Sequence, residues 1–148
     1  EAIVASIFLT TLFLIFTLRN FKKVFIVFVN LIAAFLFTLY FLGILGINLN
    51  FANIIALPLL FGFGAATSIQ TVLRTEEFDN LENYFKKSST PSAVVFSLLT
   101  TLGAFFVLSL SSHAGTSSMG ILLIISLFSV FLANLTVLIP LEKYFFKK

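Results

Sequence analysis

Three long runs without a charged residue constrain this chain more than any other feature. They cover residues 2–18, 24–73 and 88–141 of the 148-residue sequence. About 20 consecutive apolar residues are enough for a helix to cross the hydrocarbon core of a membrane. The Phe, Leu and Ile residues of these runs do not alternate with polar residues, as the strands of a membrane β-barrel would require. The sequence therefore predicts an all-α, polytopic membrane bundle.

Polar and basic breaks divide these runs into five predicted membrane-spanning helices. Their expected bounds are residues 2–18, 24–45, 50–72, 90–110 and 117–141. Between the third and fourth spans, residues 74–87 carry their acidic residues first and Lys86 and Lys87 last, an order that complements a helix dipole. Their apolar residues share one helical face, so we expect a short amphipathic helix at the membrane surface. A solvated linker is the alternative.

The basic residues predict the orientation of the bundle. All nine Lys and Arg residues lie in the hairpin at Arg19, in residues 74–87 and in the C-terminal tail. Five spans place these three regions on one side of the membrane, which the positive-inside rule makes cytoplasmic. We therefore expect a periplasmic N-terminus and a cytoplasmic C-terminus. The net charge of +3 then follows from topology, and no nucleic-acid partner is expected.

The predicted spans offer no groups for acid–base or nucleophilic chemistry. They contain no Asp, Glu, Lys, Arg or His, and His113 falls in the loop between the fourth and fifth spans. The chain also lacks cysteine, which excludes a disulfide or a thiolate metal site. An intramembrane enzyme would need paired acids, a Ser/His pair or a metal motif at depth. We expect neither an enzyme nor a cofactor or metal site.

The third span is unusual for a helix that only anchors a protein in lipid. Pro58 removes a backbone N–H from its middle, which predicts a kink. Gly62 and Ala66 form a small-xxx-small pair of the kind that lets membrane helices approach closely, and Gly64 is a further packing position. Ordinary bundle packing is the simpler interpretation of such a pair.

Polar side chains follow these small residues in the third span. Gly64, Thr67 and Thr71 share one helical stripe, with Ser68 beside it, and this stripe is expected to face the bundle interior. Asn30 in the second span and Asn134 in the fifth are further polar groups that need partners inside the bundle.

Two separated blocks, residues 49–60 and 110–120, carry a resemblance to a known family. With a Gly-x-Gly helix third among five spans, the chain resembles the C-terminal membrane half of resistance–nodulation–division (RND) transporters of the MMPL-like group. Within that group it is most similar to the hopanoid-transporting branch. The Thr100-Thr101 pair and the closing Leu138-Ile139-Pro140 also fit the wider family.

The resemblance implies a lipid exporter of the bacterial inner membrane. Such transporters have two pseudo-repeated halves, each with a large periplasmic domain, work as dimers and are thought to use the proton gradient. By this resemblance the chain is a fragment. Its partners would be membrane lipids such as hopanoids, the missing N-terminal half with the periplasmic domains, and a second copy in a homodimer.

One departure from the family pattern concerns the proton relay. The wider family has Gly-x-Gly-x-Asp-Tyr in this helix, whereas this chain has Gly62 and Gly64 followed by Ala66 and Thr67. Ala66 therefore stands where the resemblance places a titratable acid, and only Thr67 and Ser68 remain as relay-region candidates. A non-transporting, lipid-sensing or scaffolding module similar to a sterol-sensing domain is the alternative interpretation.

Overall fold

The computed structural model describes residues 2–54, 56–75 and 89–146, and every element in these ranges is helical. The elements are α1 (Ala2–Leu18), α2 (Phe21–Ile44), α3 (Phe51–Ile54), α4 (Leu57–Thr75), α5 (Thr90–Ser109), α6 (Ala114–Ala133), a π-helical turn (Asn134–Leu138) and α7 (Ile139–Phe146). The predicted all-α membrane fold is confirmed.

Among the described residues, three helical segments are long and apolar enough to cross a membrane: α2, α5 from Pro91 onward, and the continuous segment Ala114–Phe145. Helix α1 has 17 residues, and α4 has 19 residues with several polar side chains. Fewer helices thus meet these criteria than the five predicted spans, and the five-span topology remains a prediction. The predicted surface helix over residues 74–87 lies outside the described residues, apart from its first two residues at the end of α4.

The third predicted span is not one continuous helix from residue 50 to 72. Helix α3 ends at Ile54, Ala56 lies in a turn, and α4 begins at Leu57. Pro58 therefore occupies the first turn of α4. The N–H groups of a first turn have no partner within the helix, so the missing N–H of proline costs no hydrogen bond there. The expected kink is instead a break before the proline, because the proline ring would clash with the carbonyl of Ile54 in an uninterrupted helix.

The fifth predicted span continues beyond its expected end near Pro140. Pro140 cannot donate a hydrogen bond to the carbonyl of Thr136. The chain accommodates it by widening the preceding turn into a π-helix, in which the N–H of Ile139 bonds to the carbonyl of Asn134. The helix then resumes as α7, so the segment Ala114–Phe145 reaches 32 residues.

The core forms where α4 packs against α2 and α6. Gly64 lies at this contact: a Cβ atom placed there would be 2.5 Å from Cδ2 of Leu31 and 3.5 Å from Cγ2 of Val130. Gly62 and Ala66 instead lie on an exposed face of α4, and a Cβ at Gly62 would meet no described atom within 4 Å. Both members of the predicted small-residue pair are therefore exposed in the described part of the chain.

Helix α5 stands at the side of this core. None of its residues from Pro91 to Ser109 is buried. Its C-terminal end approaches α6 at Gly120, where an added Cβ would lie 2.6 Å from the backbone nitrogen of Ser109. The hydroxyl of Ser117 also donates to the carbonyl of Ser109, at 2.6 Å. This close contact at one end positions α5 beside α4 and α6.

Candidate functional site

A hydrogen-bonded cluster of four polar side chains lies in the centre of the bundle, and we call it the polar cluster. The side-chain amide of Asn30 donates to Oδ1 of Asn134 at 2.7 Å and to Oγ of Ser68 at 3.0 Å. Ser68 Oγ also donates to Asn134 Oδ1 at 3.2 Å, and Asn134 Nδ2 donates to Oγ1 of Thr67 at 3.2 Å. The polar cluster therefore joins α2, α4 and the π-helical turn.

The backbone places these side chains together in two ways. Thr67 and Ser68 are adjacent on α4, one helical turn after Gly64. Because Gly64 has no side chain, α4 can approach α2 and α6 closely there. Asn134 is the first residue of the π-helical turn, the widened turn that precedes Pro140. Asn30, Ser68 and Asn134 are 0, 0 and 5% exposed, so their partners must come from protein rather than water.

Every member of the polar cluster is electrically neutral. The hydroxyl of Thr67 itself donates hydrogen bonds to the backbone carbonyls of Phe63 and Gly64, at 3.0 and 3.2 Å. Oδ1 of Asn30 is buried without a hydrogen-bond partner among the described residues. Neutral amides and hydroxyls can align helices and exchange hydrogen bonds, but they do not titrate near neutral pH. The polar cluster alone therefore provides no site that gains or loses a proton.

A line of threonines extends from the polar cluster along α4. Thr71 and Thr75 follow Thr67 at intervals of four residues, and each hydroxyl donates to the carbonyl one turn earlier, at 2.9 Å. The hydroxyl of Thr75 also bonds to the carboxylate of Glu142 on α7. Glu142 is only 4% exposed, although the sequence places it in the basic tail after the fifth span. Its contact with Thr75 ties the ends of α4 and α7 together.

Two cavities adjoin the polar cluster on the side of α5. The larger, of about 460 Å³, lies between α4, α5 and the segment around the π-helical turn. The smaller, of about 60 Å³, is lined by Thr67, Gln70, Ser97 and Thr101 among others. Asn134 lines both cavities. The polar cluster is therefore buried on one side and borders open space on the other.

The structure brings some of the predicted site residues together and separates others. Thr67 and Ser68, the relay-region candidates, both belong to the polar cluster, and the internal partners expected for Asn30 and Asn134 are found. Pro58 lies ten residues before Ser68, about 15 Å away along α4. Gly62 and Ala66 face away from the core.

Sequence reasoning did not assign Asn30 and Asn134 to the site with Thr67 and Ser68. The only signal for doing so was that an asparagine deep in an apolar helix needs a partner. Thr71 was predicted to share the interior stripe of Gly64 and Thr67, but it was not assigned to the site. Glu142 carried no such signal, because a glutamate near the end of the chain is expected in water.

Two curated proteins are similar to this chain over most of its length. The chain is 43% identical over 122 residues to "Hopanoid transporter HpnN" of Burkholderia multivorans, which is 82% of the chain and 14% of that protein. It is 44% identical over 113 residues to the protein of the same name from Rhodopseudomonas palustris, which is 75% of the chain and 12% of that protein. The chain thus spans only a small part of these relatives. No family model and no solved structure matches it.

The fold and the comparisons agree on one assignment. The chain is a multi-pass, all-helical membrane protein, and its identity to these relatives covers 75–82% of its length. Over most of its length the chain is homologous to part of these relatives, which are transporters of the RND family.

Proposed function

We propose that this chain is the C-terminal membrane half of an RND-type exporter that moves hydrophobic, hopanoid-like lipids from the inner membrane toward the periplasm and outer membrane. The observation that carries the proposal is the identity of 43–44% to two proteins named hopanoid transporters. The rest of the transporter would supply the first membrane half and the periplasmic domains. The exporter would work as a homodimer.

In this proposal α4 is the helix that couples movement to transport. It is the element that contacts α2, α6 and α7 through the polar cluster, Gly64 and the Thr75–Glu142 bond. The break before Pro58 gives its other end a joint at which it can tilt. Replacing Pro58 by leucine should allow α3 and α4 to join, and we expect lipid export to fall. Unchanged export would remove the claim that this joint must flex.

The orientation in this proposal follows the basic residues. The hairpin at Arg19, the end of α4 and the C-terminal tail would lie in the cytoplasm. The buried Thr75–Glu142 contact would then hold the cytoplasmic ends of α4 and α7 together. The 114–117 end of α6 would face the periplasm.

A lipid-sensing or scaffolding module is the second candidate, and the neutrality of the polar cluster favours it. A module that only binds lipid needs no titratable group, whereas a proton-driven transporter does. The coding sequence upstream of residue 1 separates the two. A second membrane half with a periplasmic domain and an intramembrane acid supports export, and a reading frame that starts near residue 1 contradicts it.

Reconstitution of the full-length protein tests the proposed activity directly. Proteoliposomes loaded with a hopanoid should release it to an acceptor faster than protein-free liposomes, and a proton gradient should increase that rate. Export that ignores the gradient would remove proton coupling and leave lipid export standing. No export under either condition would contradict the proposed function.

A further inference from the structure

We infer that the larger cavity beside the polar cluster is a binding site for one neutral lipid that carries a hydroxyl group, and that Asn134 and Thr71 bind this hydroxyl. We call this cavity the lipid cleft. The inference rests on the proposed lipid transport and adds to it the place of binding and the chemistry of the lipid's head. Neither relative's name says where a lipid binds or which group is recognised.

The size and lining of the lipid cleft fit a small molecule with a large apolar body. Its volume of about 460 Å³ lies within the range of roughly 300–1,000 Å³ typical of small-molecule sites. Apolar side chains, among them Val95, Phe96, Phe131 and Leu135, form most of its wall. None of the described residues that line it carries a charge. A charged headgroup would therefore lose its hydration without gaining a partner, so the part bound here is uncharged.

The shape of the lipid cleft argues against a helix as its occupant. On α5 the described lining residues run from Pro91 to Phe96, a length of about 8 Å at 1.5 Å per residue. A packed helix with its side chains is about 10–12 Å wide and needs a groove along several turns. A cavity confined to fewer than two turns of α5 fits the end of a rigid lipid better than a helix of the missing transporter half.

Two buried polar residues that line the lipid cleft, Asn134 and Thr71, offer a donor and an acceptor. Asn134 is 5% exposed, and its amide nitrogen uses one N–H for Thr67. Its second N–H makes no bond within the described ranges of the chain and is available to a ligand oxygen. Thr71 is 4% exposed and donates its proton to the carbonyl of Thr67, which leaves the lone pairs of its oxygen as acceptors. A hydroxyl group is both acceptor and donor and therefore matches this pair.

Asn134 also links the lipid cleft to the polar cluster. The same amide that lines the cleft is hydrogen-bonded to Asn30, Ser68 and Thr67. A hydroxyl that bonds to Asn134 would therefore act on the contact between α4 and the π-helical turn. Binding of lipid would in this way affect α4, the helix that we propose to move.

Photolabelling of the full-length transporter in phospholipid nanodiscs tests this inference. The probes are a hydroxylated hopanoid carrying a diazirine, the same hopanoid without its hydroxyl, and a diazirine phosphatidylethanolamine. We expect the hydroxylated probe to label residues 91–96 and 131–139, and unlabelled hydroxylated hopanoid to compete. We expect Val95→Trp, which fills the cleft, to reduce labelling at least tenfold. Val107→Trp is the matched control, since Val107 is exposed on the same helix and lies outside the cleft.

A second variant tests the head recognition. Asn134→Leu should remove the preference for the hydroxylated probe over the hydroxyl-free one. Some labelling by both hopanoid probes should remain, because the apolar wall still contacts their apolar bodies. Leu135→Trp fills the cleft from the opposite wall and replaces Val95→Trp if that variant does not fold, as judged by its thermal midpoint.

Three results would overturn the inference. Labelling of both regions by the phosphatidylethanolamine probe as strongly as by the hydroxylated hopanoid would show ordinary lipid contact. Absence of labelling in the unmodified protein would show that another part of the transporter fills the cleft. Full labelling of a folded Val95→Trp variant would place the probe elsewhere. Export is measured in the same preparations. Export without labelling would contradict only the inference that lipid binds in the cleft. Labelling without export would contradict the proposed function but not the binding site.

Discussion

Asn134 makes more side-chain contacts across helices than any other polar residue of the polar cluster. It accepts from Asn30 and Ser68 and donates to Thr67. A buried polar group that loses its partner costs about 1–3 kcal/mol, because the remaining donor or acceptor stays without water. The energetic value of this residue therefore lies mostly in the partners that it keeps satisfied.

A double-mutant cycle at Asn30 and Asn134 measures this contribution. Each single change to leucine leaves amide or hydroxyl groups unpaired, and we expect each to lower the free energy of unfolding by about 1–3 kcal/mol. The double variant removes both partners of the 2.7 Å bond, so it should cost about 0.6–2 kcal/mol less than the sum. Reversible denaturation of the purified protein in sodium dodecyl sulfate provides the values.

Thr100→Val is the control for this cycle. Its hydroxyl is exposed and bonds only to carbonyls of its own helix, at 2.9 and 3.1 Å. The change should alter the free energy of unfolding by less than about 0.5 kcal/mol. Strict additivity of the two asparagine variants would show that the bond contributes nothing.

The two glycines of α4 should respond oppositely to alanine. At Gly64 a methyl group would lie 2.5 Å from Leu31, so Gly64→Ala should destabilise the protein by about 1–3 kcal/mol. At Gly62 there is open space, and Gly62→Ala should be neutral or stabilise the helix by up to about 1 kcal/mol. Thermal denaturation of the two variants side by side checks the contrast. Equal midpoints would mean that α4 does not approach α2 as closely as described.

At the scale of elements, Pro58 and Pro140 have opposite effects on their helices. Pro58 begins a helix after a break, whereas Pro140 lies inside a helix that continues past it. The difference lies in what precedes each proline. Before Pro58 the chain leaves the helix through a turn at Ala56, whereas before Pro140 the helix is retained by widening one turn.

Pro140→Ala tests whether the widened turn positions Asn134. Alanine restores an N–H that can bond to the carbonyl of Thr136, so the π-helical turn should tighten and Asn134 should rotate away from Asn30. We expect the coupling energy of the Asn30–Asn134 cycle to fall toward zero in this background. Pro58→Ala, at the start of α4, should leave that coupling energy unchanged. An undiminished coupling in the Pro140→Ala background would show that packing alone positions Asn134.

The pattern of apolar and polar residues was sufficient to predict the fold class and the presence of Thr67 and Ser68 in the interior. Hydropathy over about 20 residues identifies membrane helices because lipid imposes one requirement on the whole segment. The same pattern could not distinguish a kink from a break at Pro58, since both relieve the same clash. It also could not predict that Glu142 is buried, because that depends on the π-helical turn carrying the helix beyond Pro140.

At the scale of the whole molecule, the neutral polar cluster requires that any proton-binding group lie elsewhere. The chain covers 12–14% of the length of its relatives, and under the proposed function the rest of the transporter would lie beyond it. If protons drive export, a titratable group outside the polar cluster must bind them. The polar cluster would then transmit movement rather than charge.

This division of roles predicts how variants respond to pH. Asn134→Leu should lower hopanoid export by a similar factor at every pH from about 6 to 8, because no member of the polar cluster titrates in this range. Export rates of reconstituted full-length protein, measured across that range with and without the substitution, test this. A shift in the midpoint of the pH profile would show that Asn134 acts on the proton-binding group directly.

The orientation of the segment can be tested because the chain contains no cysteine. A single cysteine at Asn20, in the basic hairpin between α1 and α2, should react with a membrane-impermeant maleimide only after the cells are opened. A single cysteine at Ser112, in the exposed loop between α5 and α6, should react in cells whose outer membrane alone is permeabilised. These expectations follow from the location of all nine basic residues in three regions on one predicted side.

Cysteine at Ala34, which is fully buried, is the unreactive control, and other native cysteines of the full-length protein are replaced beforehand. If the cysteines at Asn20 and Ser112 react from the same side, an even number of spans separates them. The predicted five spans with termini on opposite sides would then be wrong for this segment.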